Sequence, residues 1–263
     1  VNDSGKQVAT LIWAFEKFNE KDVGDLKKDR GDYDIVRYYQ LSNVYLENSS
    51  IEDKNIAELE ISDILGKIES GDEEIYQKLV SITEMVLGGM KECLYRISVE
   101  FDEFIRETKF IQDGSVDEMI DRLKQLDSAF QEDGAWKLGI PGEEKPLVFL
   151  RSDGTSLYTT RDLCYHEWKL GRADKIVTIL GEDHKFQAEQ LTKTLSLLGA
   201  ETSRIRQVFY SWVNLPEGGM STRKGTGINL DDLLDESVKR ARGEVTAREE
   251  SRIREMELKK SDI

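Results

Sequence analysis

The chain is 263 residues long, 38% hydrophobic and 34% charged, enough to bury a full core in one or two domains, with no apolar run near the ~20 residues that cross a bilayer. Its two cysteines, Cys93 and Cys164, sit in no paired motif; this excludes a disulfide framework or a cysteine-based zinc site and fits a reducing, cytoplasmic setting with no signal peptide and no membrane contact. The net charge of −15 lies in residues 1–150, with 18 Lys and Arg against 33 Asp and Glu, while residues 151–263 balance at 19 each, a distribution that repels a polyanion.

In chain order, residues 1–18 predict a helix with Val8, Leu11, Ile12 and Phe15 at helical spacing and Asp3 or Ser4 as its cap. Residues 22–34, DVGDLKKDRGDYD, hold two glycines and no apolar periodicity, and predict a loop. From Ile35 to Ile97 the pattern is helical and acidic, with Ile, Leu, Val and Met three and four residues apart. Residues 98–108, SVEFDEFIRET, alternate apolar and polar positions and predict a half-buried strand. An amphipathic helix follows over 114–130, then a strand with a DG turn in LVFLRSDGTSLY and a helix closed by Gly171. KIVTIL predicts a short apolar strand, KFQAEQLTKTLSLLG a helix and RQVFYSWVNL a further strand. A helix capped by Asn229 starts at INLDDLL, and the last twenty residues predict an exposed charged helix. Strands alternating with helices imply βαβ units around a parallel sheet, an α/β fold.

Three segments carry chemistry. In EGGMSTRKGTG, residues 217–227, four glycines bracket Arg223 and Lys224; a loop of this kind can bring cations to phosphate oxygens as negative charge develops there, although it is also what an ordinary basic surface loop looks like. GEDH, residues 181–184, stands between an apolar strand and a helix, where open parallel sheets bind ligands; read alone, it is equally a turn with a capping acid. In SDGTSLYTTRDLCYH, Tyr158 and Asp162 are four residues apart and share one helical face, so a carboxylate there can make a two-pronged bond to a guanidinium. The bland alternative is an internal salt bridge of Asp162, for instance with Arg161. No Ser-His-Asp set and no metal-ligand spacing occurs.

Together, LRSDGTSLYTTRDLCYH, ILGEDHKFQAEQL, a strand ending near VNL, and GGMSTRKG closely resemble class I arginyl-tRNA synthetases, archaeal members in particular, in order and spacing over residues 147–238. VNDSGKQVATLIWAFEKF, FDEFIRET and EDGAW extend the resemblance. It implies a Rossmann-like parallel sheet, incomplete here, with a mainly helical insertion: residues 1–19 as a first-half segment, 20–97 as the insertion, 98–234 as the second half, and 235–263 as a helix leading toward a C-terminal helical domain. It further implies that Tyr158 and Asp162 bind arginine. Gly181, Asp183, His184, Met220 and Ser221 would bind ATP, and Ser221, Arg223 and Lys224 would serve catalysis, with Gly219 where the signature's first lysine stands. The implied partners are L-arginine, tRNA(Arg), and ATP with Mg²⁺.

The family's first ATP signature, a His-rich motif, is not in these residues, whose only histidines are His166 and His184. The expectation is therefore a fragment of an arginine-tRNA ligase, inactive alone and weak in tRNA binding. The alternative is a non-catalytic synthetase-like nucleotide-binding or assembly module.

Overall fold

The computed structural model describes residues 1–211 and 228–261, with side chains as far as residue 254. Two hydrophobic cores organise it. The first joins α1 (Lys6–Lys17), α2 (Gly31–Asn48), α3 (Ile51–Ser70) and α4 (Glu73–Tyr95) around Ile12, Trp13, Ile61 and Leu79. The predicted 35–97 periodicity is here, cut into three helices where the caps fall. Ser50 accepts from the Asp53 amide, Gly71 turns left-handed at φ 75°, and Asp72 accepts from the Ile75 amide.

The opening helix corrects the expected caps. Gly5 precedes α1 without a side-chain cap. Asp3, fully buried, instead accepts from the Thr108 amide (3.0 Å) and hydroxyl (2.6 Å). It caps α5 (Thr108–Gln112), 105 residues away. Ser4 points to Glu107. The expected loop holds to Arg30, but GDYD forms the first turn of α2.

Residues 98–107 form no strand. Ser98 takes φ 57°, and Val99 and Phe101 are exposed, so the alternation has no neighbouring strand to bury it. The expected 114–130 helix ends early, as α6 (Ser115–Lys124). The chain then makes an antiparallel hairpin, β1 (Ala129–Glu132) and β2 (Ala135–Leu138), which pairs onto β3 (Leu147–Leu150). Asp133 and Gly134 both hold positive φ at its turn, as tight hairpins demand.

The second core gathers α5, α6, β2, β3, α7 (Tyr158–Leu170) and α8 (Lys185–Leu197) around Phe110, Met119, Leu123, Phe149, Leu163 and Leu195. The expected strands form β4 (Ile176–Gly181) and β5 (Ile205–Tyr210), which pair in parallel with Thr178 opposite Gln207. Each shows one face to the core; Val177, Ile179, Val208 and Tyr210 are exposed on the other. The long helix α9 (Leu230–Ser261) starts directly after Asn229, whose carbonyl accepts from the Leu233 amide. It is an α/β structure with a small parallel sheet and many helices.

Candidate functional site

A tight turn sets the approach to α7. Asp153 accepts from the Thr155 amide and hydroxyl while Gly154 takes φ 84°, and Leu150 bridges to Ser156. Thr160 then donates to the Phe149 carbonyl (2.7 Å) and Thr159 to that of Val148 (3.3 Å). These bonds pin the first turn of α7 against β3 and fix where Tyr158 and Asp162 project.

Both side chains open into a cavity of about 290 Å³ between α7, the inner face of β4 and β5, and the start of α8. Tyr158 stands at its rim, and Thr178, His184, Gln187 and Gln207 line it from the other elements. Parallel strands carry their ligands near their carboxyl ends, and His184 sits in the single 3₁₀ turn, Glu182–His184, that follows β4.

Arg161 does not take Asp162 as its partner. It is buried and bonds Glu107 through Nε at 3.0 Å, with Glu69 at 3.9 Å. Glu69 also accepts from the Ser156 amide, so this guanidinium ties the two cores together. Among the described residues the Asp162 carboxylate makes no ion pair or hydrogen bond. It is accessible through the cavity mouth, yet the surrounding protein mass restricts its hydration and raises its pKa, against the pull of Lys169 and Arg161.

The floor of the cavity holds two groups that spacing did not single out. His166 is buried, with Nδ1 2.8 Å from the Asp162 carbonyl and Nε2 3.1 Å from Lys169 Nζ. An Nδ1–H tautomer satisfies both contacts, donating to the carbonyl and accepting from the ammonium. Desolvation and the nearby Lys169 cation push His166 down to about 4. Desolvation, partly offset by Asp162, pushes Lys169 down to about 8. The sequence signal for both was there, since Asp162, His166 and Lys169 follow the i, i+4, i+7 pattern of one helical face.

Gly181 ends β4 in ordinary extended backbone; a Cβ there would lie 2.5 Å from Asp183 Oδ1, the end of an exposed side chain that can turn aside. Asp183 leans toward His184 at 3.6 Å and is not among the cavity-lining residues. Met220, Ser221, Arg223 and Lys224, with Gly219, lie outside the described residues. A larger hollow of about 460 Å³ lies on the first core. Its polar side chains satisfy one another there, as in the ion pairs Lys78–Glu16 and Lys67–Asp63 and the hydrogen bond from the Trp13 indole to Glu60, so it leaves less to offer a ligand. Among the described residues no group of three His, Cys, Asp or Glu side chains is placed to hold a metal, and no helix is long and apolar enough to cross a membrane. Cys93 and Cys164 are both free and buried.

Comparison with known proteins shows the family and the fold. The family model described as "tRNA synthetases class I (R), catalytic domain" matches residues 1–262. An arginine–tRNA ligase of Haloquadratum walsbyi is 53% identical over all of this chain and 44% of its own length. One from Methanocella arvoryzae is 42% identical over 94% of this chain and 43% of its own length. The chain thus spans less than half the length of these relatives. Among solved structures, the arginyl-tRNA synthetase of Thermus thermophilus superposes with a TM-score of 0.68 at 20% identity, over 93% of this chain and 45% of that one. That of Plasmodium falciparum also reaches 0.68, at 14% identity, over 95% and 39%; at such identities the likeness is one of fold.

Proposed function

The chain belongs to the class I arginyl-tRNA synthetase catalytic-domain family, and from that premise we propose that the protein it represents condenses arginine with ATP to arginyl adenylate and pyrophosphate, then transfers arginine to tRNA(Arg). The observation that carries this reading is the cavity in which Tyr158 and an accessible Asp162, unpaired among the described residues, meet His184 from a separate element. Such a carboxylate, in a crowded cavity, suits a guanidinium that brings the matching charge and planar donors. Tyr158 closes the rim as a hydroxyl or ring partner. Gly181, Asp183 and His184, at the turn after β4, would hold the nucleotide; Met220, Ser221, Arg223 and Lys224 would attend its phosphates.

Catalysis on this reading is positioning plus electrostatics, with no covalent nucleophile. Mg²⁺ would arrive coordinated to the ATP phosphates rather than in a protein cage. Residues 20–97 would be the helical insertion of the catalytic domain, 1–19 and 98–234 its two halves, and 235–263 the lead into a further helical region. A cytoplasmic setting fits the substrates. Identity above half over the whole chain favours a catalytic role over a purely assembly-related one.

The test is amino-acid-dependent ATP–pyrophosphate exchange by the gene product at its natural length. Exchange is expected with arginine and not with lysine or glutamate, and Asp162→Ala should lower kcat/KM for arginine by about 10²–10³-fold, the scale for removing one partner of a desolvated ion pair. Equal exchange with lysine or glutamate, or an unaffected Asp162→Ala variant, would overturn the reading.

A further inference from the structure

The cavity proposed for a cationic side chain already contains a cation. Asp162, His166 and Lys169 occupy one face of α7, and all three line the same cavity. Asp162 and Lys169 stand about 10 Å apart along the helix axis, but a helical side chain leans back toward the helix N-terminus, which carries the ammonium toward the carboxylate. His166 lies between them in the helix, with Nδ1 on the main-chain carbonyl of Asp162 and Nε2 3.1 Å from Lys169 Nζ. The ammonium also lies 4.3 Å from the centre of the Tyr165 ring and 3.5 Å from the Thr178 hydroxyl. It is therefore held in place by three neighbours.

Around them, the remaining charges are accounted for. Glu107 lines the cavity but is bonded to Arg161. The exposed His184 acts on Asp162 from the other side. Arg161 and Lys169 are thus the positive charges that act on Asp162 from within its own helix, and of the two only Lys169 has no carboxylate bonded to it among the described residues. Resting on the proposed function, we infer that Lys169 is the stand-in counter-ion of Asp162 in the empty site, and that the guanidinium of arginine displaces it electrostatically, so that binding arginine releases one proton.

The proton balance is simple. One N–H bond of the Lys169 ammonium breaks, the proton passes to solvent buffer, and the neutral amine keeps a hydrogen to donate to His166 Nε2. His166 cannot retain that proton, since burial and Lys169 hold it down at about 4. Two cations sharing one carboxylate in a crowded cavity disfavour each other, and of the two the ammonium yields, because a guanidinium does not deprotonate in the accessible range. Lys169 sits at about 8, where this exchange falls within working pH. It is a positioning and specificity residue: it keeps Asp162 ionised while the site waits, and raises the threshold for any cation that cannot match the carboxylate's geometry.

The experiment is calorimetric titration of the natural-length protein with L-arginine between pH 6.5 and 9.5, in buffers of differing ionisation enthalpy. Wild type should release close to one proton per arginine at pH 7 and about none at pH 9.5, with affinity rising up to tenfold per pH unit below 8. Lys169→Met should bind arginine more tightly at pH 7, with no proton release and a flat profile. Lys169→Arg keeps the charge but cannot give up its proton, so it should bind weakly at every pH, also without release; its opposite direction separates charge from general damage. Arginine binding by wild type without proton release, or a proton count unchanged in both variants, overturns the inference and leaves the proposed function standing. No arginine binding by wild type at any pH overturns both.

Discussion

The two cores differ in how far their polar groups reach. In the helical one, buried hydroxyls bond within their own helix: Thr10 to the Lys6 carbonyl, Ser42 to that of Tyr39, Thr83 to that of Leu79. In the α/β one Thr194 does the same, to the Gln190 carbonyl, but other polar groups reach across elements: Thr160 to β3, Arg161 to Glu107 and Glu69, Lys169 to β4, and Gln190 to the Lys145 carbonyl. Local satisfaction makes a scaffold, because each helix is complete before it packs. Cross-element satisfaction makes a site, because it holds ionisable groups where water is scarce and their pKa values move. His166, Lys169 and Asp162 are shifted chiefly because the surrounding protein restricts their hydration.

The contrast can be broken most forcefully in the scaffold. Leu79 is fully buried at the heart of the helical core, so Leu79→Ala should cost about 2–5 kcal/mol of stability by denaturant unfolding. Arginine affinity measured on the folded fraction should stay as it was. A matching loss of affinity would show that the two cores are not separable in this way.

His166 sharpens it from the other side. Its folded value of about 4 lies below the ordinary 6.5, so the unfolded chain binds the proton first as pH drops. Its contribution is in place above pH 6.5 and is lost progressively down to about 4, amounting to about 3 kcal/mol over the whole window. His166→Gln should flatten that part of the stability–pH curve, read by thermal unfolding at pH 7 and pH 4.5. An equal acid-induced loss in wild type and variant would assign the sensitivity elsewhere.

The smallest effect should come from Asp231, where α9 meets the helical core. Its buried carboxylate accepts from Arg30 Nη2 and Arg96 Nη1, each at 2.6 Å. Desolvation works against the charge, but those two hydrogen bonds outweigh it and bring Asp231 down to about 2. Asp231→Asn keeps the shape and loses the charge, and should lower stability by about 1–2 kcal/mol. The difference should vanish only in strong acid, as wild type itself is protonated. A variant as stable as wild type at pH 7 would mean that the arginines find other carboxylates.

Residue patterns alone determined much of this protein. Aliphatic spacing from Ile35 to Ile97 announced helical structure, because a helix buries the same face every three or four residues whatever it packs against. The four-residue step from Tyr158 to Asp162 put both on one face, and an apolar run before GEDH marked the strand-to-turn edge of the site. The DG turn in LVFLRSDGTSLY was equally legible in the letters, whereas the amphipathic pattern over 114–130 was carried too far and the hairpin at Asp133–Gly134 went unread. Tertiary structure decided the rest. Asp3, which reads as a cap for the helix beside it, caps one 105 residues away. Residues 98–107 alternate like a strand and find no partner strand. Arg161 chooses Glu107 and Glu69 over the adjacent Asp162, whose carboxylate keeps no partner among the described residues, and Lys169 turns into the same cavity. Local periodicity records which face of an element is buried. The partner of a charge is chosen by whichever opposite charge the folded chain brings within about 4 Å, where Coulomb attraction can offset desolvation, and that distance exists only after the chain has folded.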